Sequence, residues 1–145
     1  MDALLIGFRR WVVAAVAGIV AVGAIFGGYG LLSDAEGLGA KSEWLDGSPF
    51  PDYRIPGITL FVFIGGGMLL TALLALCRSR FAGVAALAMG VVLLIWGSVE
   101  TATIGYQGGW QLGLLAVWVV GPAVPLLKLG WDATKPMVGR RAVAR

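Results

Sequence analysis

Four long apolar runs set the outline of this chain. From Trp11 to Leu32, Gly57 to Cys77, Phe81 to Thr103 and Gln111 to Leu127 the residues are almost all aliphatic, aromatic or glycine. Each run is close to the ~20 residues a helix needs to cross a ~30 Å hydrocarbon layer. Away from water every backbone N–H and C=O must be satisfied within its own segment, so the runs are predicted to be helices. Polar residues collect between and after them, in a loop over 33–56 and a tail over 128–145. The expected fold is all-α and integral to a membrane. It is an antiparallel, up-down four-helix transmembrane bundle in one domain over 1–145, with an extracytoplasmic loop between spans 1 and 2.

Glycine and proline add detail to the runs. In span 1, Ala14 to Gly18 and Gly23 to Gly27 have the four-residue spacing that stacks small residues on one face, where helices in lipid approach closely. In span 3, Gly83, Gly90 and Gly97 recur every seven residues and predict one seam toward a neighbouring helix. The run Gly65-Gly66-Gly67 puts a bare backbone strip in the middle of span 2, suited to a close crossing, a bend or a groove. Span 2 is predicted to start after Pro56. Span 4 is predicted to kink or end near Gly121, Pro122 and Pro125, with a tail that frays toward Arg145.

Composition agrees with this reading: 59% of the 145 residues are hydrophobic and 13% charged, against about 25% charged in soluble domains. Arg9 and Arg10 before span 1 invite comparison with a secretory signal. The apolar run after them has 22 residues and no A-x-A-like site, whereas a signal core has about 7–15. A retained span is expected. The twin arginines alone do not argue for export of a chain with three more spans.

Charge sets the expected orientation. Arg9, Arg10, Arg78, Arg80, Lys128, Lys135, Arg140, Arg141 and Arg145 fall on one side, nine of the eleven basic residues. Lys41 and Arg54 fall on the other, among Asp34, Glu36, Glu43, Asp46 and Asp52. The positive-inside rule then puts both termini in the cytoplasm and the loop outside a plasma (inner) membrane. The basic tail is read as an anchor beside anionic headgroups and not as a nucleic-acid site.

Missing residue types narrow the chemistry. Cys77 is the one cysteine and there is no histidine. An intrachain disulfide, a CxxC pair, common zinc centres, His-ligated haem and Ser-His-Asp triads are therefore excluded. No enzyme, cofactor or metal is expected.

One acid stands inside the apolar runs: Glu100, near the outer end of span 3. A carboxylate in the bilayer costs ~2–3 kcal/mol on insertion scales, so it is expected to face protein or water and to hold a partner. Arg54, Tyr53 and Tyr106 are the expected partners, and with Glu100 they form the candidate polar site. The site reads either as a proton-titrating or cation-binding carboxylate at a cavity mouth, or as a clamp between loop and bundle. Just before span 2, Pro49, Pro51 and Pro56 bias the residues preceding them toward extended backbone. Residues 48–54 are therefore expected to lie as a stiff strip, with Phe50, Tyr53, Trp44, Tyr106 and Trp110 in an outer aromatic belt. Such a strip either caps the bundle or serves as a collar that fixes the depth of span 2.

The segment Ser48, Pro49, Phe50, Asp52, Tyr53, Ile55, Pro56, Gly57, followed by Ile104, Gly105, Tyr106 and Gln107 at the end of span 3, resembles a family of small four-span bacterial membrane proteins. The resemblance covers spans 2 to 4 and the end of the loop, and it implies a fold but no activity.

Two classes of function follow. A non-catalytic accessory or structural subunit, packing on other membrane chains or on itself through its glycine faces, is the first expectation. The alternative is a binder or carrier of a lipid, quinone or other apolar molecule, or a small transporter, with a cavity under the loop walled by Phe61, Phe63, Trp96 and Trp110 and polarised by Glu100.

Overall fold

The computed structural model describes residues 2–105, 109, 113 and 116–143. They are mostly helical and contain no strand. Helix α1 is Asp2–Ser33, α2 is Arg54–Leu76, α3 is Ala82–Ile104 and α4 covers residues 116–143. Stretches of the first three, Leu4–Ser33, Arg54–Leu76 and Ala82–Thr103, are long and apolar enough to cross a membrane. The fourth expected span begins outside the described residues.

Helix ends differ from expectation for local reasons. Helix α1 starts well before Trp11, since the apolar positions Leu4, Leu5, Ile6 and Phe8 continue the pattern and nothing breaks it. It stops at Ser33, whose hydroxyl turns back to donate to the Tyr29 carbonyl (2.9 Å). Helix α2 begins at Arg54 instead of after Pro56, because the Asp52 carboxylate accepts the Arg54 N–H (2.9 Å). Pro56 then falls in the first turn, where its missing N–H costs nothing. Helix α3 ends at Gly105, whose φ of +71° suits a residue without Cβ.

Two helices contain wider, π-type turns. In α2 these cover Thr59–Gly66, and the three glycines there have separate tasks. Gly65 lies against Ile25 of α1, Gly67 lies against Met89 of α3, and Gly66 meets nothing within 4 Å. In α4 the wide turns cover Ala116–Val120, just ahead of Pro122. A proline ring displaces the carbonyl of the preceding turn and offers no N–H, and a widened turn absorbs that misfit. Helix α4 therefore passes through Pro122 and Pro125 and continues to Val143. Of the kink or early stop expected there, the stop is corrected: the tail continues the helix, with Lys135 bonded to Asp132 at 3.0 Å and Arg9 of α1 3.9 Å from the same carboxylate, while the end expected to fray, Arg145, lies outside the described residues.

Small residues hold the helices together. Gly28 of α1 is so close to α2 that an added Cβ would lie 2.6 Å from the Phe61 nitrogen and 2.8 Å from the Gly57 oxygen. Ile25 reaches Gly65 and Leu32 reaches Gly57, so contacts along this pair run in opposite sequence order. The same holds for α3 and α4, where Gly83 faces Ala133, Gly90 faces Leu127 and Gly97 faces Val119. The expected seven-residue seam is thus present. The expected α1 pairs are not single faces: Gly18 has no neighbour within 4 Å, Gly23 meets Trp118 of α4, and Gly27 meets Leu60 of α2.

The interior is built largely from alanine. Ala17, Ala21, Ala75, Ala86 and Ala123 are buried with Ile64, Met68, Leu93 and Leu126, while Phe26, Phe63, Ile95 and Val117 face outward. Small inside and large outside is the arrangement expected where lipid surrounds the helices and close backbone approach drives association.

Candidate functional site

Residues 34–53 fold back over one end of the helices, and a cavity of about 680 Å³ lies beneath them. The loop is shaped by local hydrogen bonds. Asp34 accepts the Gly37 N–H (2.9 Å), residues Ser42–Leu45 form one 3-10 turn, and the Ser48 hydroxyl accepts the Phe50 N–H (3.2 Å). The Tyr53 phenol then donates to the Lys41 carbonyl at 2.6 Å, tying the end of the proline-rich strip back to the start of the 3-10 turn. Burial raises the Tyr53 phenol above its ordinary value, so it stays a neutral donor.

Helix α3 supplies the charged group. Glu100 lines the cavity and is half-buried. The indole N–H of Trp96, one helical turn earlier, donates to its carboxylate. Residues four apart share a helix face, so Trp96 and Glu100 both point toward the loop. Trp118 of α4, seated on Gly23 of α1, forms part of another wall.

The candidate residues are only partly assembled. Glu100 and Tyr53 line the same cavity. Arg54 does not join them: its side chain is 81% exposed and its Nε lies 3.7 Å from the Asp52 carboxylate. The expected pairing of Glu100 with Arg54 is therefore replaced by a hydrogen bond from Trp96. An exposed arginine loses nothing by keeping its water and a near acid, whereas reaching the cavity would strip that water away. Tyr106 and Trp110 lie outside the described residues.

The walls also differ from expectation. Phe61 and Phe63 project from the outer face of α2 (37% and 67% exposed) and are not lining residues. Trp44, Phe50 and Tyr53, expected in a headgroup belt, line the cavity. Trp118 was not singled out by sequence at all. Its only sequence signal is the chance to sit over a glycine on another helix, and no single-helix pattern reports that.

Chemically, the site is an apolar chamber with one carboxylate held by an indole donor and closed on one side by a loop. Compared with known proteins, the chain matches no family model, no curated protein and no solved structure.

Proposed function

We propose that this chain is a multi-pass, non-catalytic protein of the bacterial plasma membrane that binds or carries an apolar small molecule in the chamber under its loop. In this reading the chain is one domain, an antiparallel four-helix transmembrane bundle with both termini cytoplasmic and residues 33–56 outside. One observation carries the reading: a cavity of about 680 Å³ with mostly apolar walls, a few polar groups and a lid formed by the chain itself. That is the size and character of a small-molecule site. A well-packed bundle has no comparable void, because interiors otherwise pack like organic crystals.

Native mass spectrometry after gentle extraction from membranes tests this. The wild-type chain is expected to retain a stoichiometric apolar molecule. Ala24→Leu, which adds bulk at a buried wall position, is expected to fold and lose that molecule. A wild-type spectrum free of small molecules would contradict the reading.

A second reading, an accessory subunit or homo-oligomer, is supported by Gly7 and Gly18 of α1, which have open space around them. Small residues left unpaired on a helix face suit another helix. A protein partner recovered in fixed ratio, with an empty cavity, would favour it.

A further inference from the structure

We propose that the chamber selects a lipophilic cation: an ammonium- or phosphonium-type charge on an apolar body, with the Glu100 carboxylate as counter-ion. This rests on the ligand-binding reading above and specifies its ligand.

Three observations converge on it. The first is the sign of the site. Among the described lining residues Glu100 is the one acid, and no lysine or arginine joins it. Arg54, at the end of the lid strip, has its Nε 3.7 Å from the Asp52 carboxylate and does not line the chamber. The second is the wall. Trp44, Phe50, Tyr53, Trp96 and Trp118 line the same chamber, and aromatic faces attract cations most strongly when water is excluded. The third is the approach. The lid segment carries five acids, Asp34, Glu36, Glu43, Asp46 and Asp52, against Lys41 and Arg54, and clefts rimmed by one sign of charge concentrate ions of the other.

Anions and neutral molecules fit less well. A second negative charge beside Glu100 would be repelled in a low-dielectric space. A neutral apolar ligand would leave the carboxylate with its Trp96 donor but without a counter-charge, at the cost of desolvating it. A cation removes that cost and uses the ring faces.

The test uses the full chain in nanodiscs of zwitterionic lipid, with empty nanodiscs as background. Equilibrium binding is measured for tetraphenylphosphonium, for the similarly shaped neutral triphenylmethane, and for the anion tetraphenylborate. The expected result is saturable binding of tetraphenylphosphonium near one per chain, with weaker binding of the other two. Glu100→Gln should weaken the cation at least about tenfold, the scale for removing one partner of a desolvated charge pair. Glu100→Asp should keep the preference. If Glu100→Gln does not fold, the wild-type order of the three probes decides by itself. Equal binding of cation and neutral probe, unchanged in Glu100→Gln, would overturn the cation assignment and leave the cavity reading standing. Binding of none of the three above background would overturn both.

Discussion

Gly28 shows most plainly how much rests on single residues. A Cβ there would lie 2.6 Å from backbone nitrogen and 2.7 Å from the Cβ of Phe61, and neither atom can move without shifting a helix. Gly28→Ala is therefore expected to cost about 1–3 kcal/mol, the range for overpacking. Gly18→Ala, on the same helix with nothing within 4 Å, should be neutral or stabilise by up to ~1 kcal/mol through helix propensity. Thermal unfolding in detergent compares them, and equal effects would mean that the α1–α2 crossing is not as close as described. Sequence spacing could not rank these two positions, because it identifies small residues without saying which of them have a neighbour. Glu100 was legible for the opposite reason: a lone acid in an apolar run stands out without any structure. Trp96 was legible as a wall of the cavity but not as the donor to Glu100, because which of several nearby polar groups meets a carboxylate depends on how the loop and helices come together.

At the scale of elements, α2 and α3 were legible to within a few residues, since hydropathy reports which stretches avoid water. Ends and interruptions were less so. Whether Pro122 stops a helix depends on whether the preceding turn can widen, and whether a polar tail stays helical depends on partners from elsewhere. Asp132 meets one such partner, Arg9 of α1, and a second within its own helix, Lys135. The hydrogen bond from Lys135, reinforced by the Lys135, Arg9 and Lys128 charges, holds the Asp132 carboxyl below its ordinary value. A carboxyl with a lowered folded-state value stabilises above its unfolded value, and that contribution is lost as pH falls through the folded one. The tie between α1 and α4 should thus persist at neutral and mildly acidic pH and fail only in strong acid. Asp132→Asn removes it at neutral pH. Amide exchange over residues 128–135 is expected to quicken in Asp132→Asn, and unchanged exchange would show that packing of Gly130 and Ala133 on α3 suffices alone.

For the whole molecule, the organising feature is an alanine-rich interior that is tight in one half and open in the other. Gly83, Gly90 and Gly97 close α3 on α4, Gly28 closes α1 on α2, and between the two pairs the helices stand apart beneath the loop. The seven-residue spacing of Gly83, Gly90 and Gly97 anticipated the first seam, whereas Gly28 belongs to neither of the four-residue pairs expected in α1. The chamber could not be anticipated that way, because it is a property of how two pairs are set against each other and of where a twenty-residue loop comes to rest. The most direct test of that chamber is thiol reactivity at two alanines of α1, in a chain whose exposed Cys77 is replaced by serine. Ala24 lines the cavity, and Ala17, fully buried, does not. With methyl methanethiosulfonate, Ala24→Cys should react and Ala17→Cys should stay inert, and Tyr53→Phe, which frees the lid, should speed the first alone. Equal inertness of both cysteines, with or without the Tyr53 bond, would mean that the helices are packed solid and that no chamber exists.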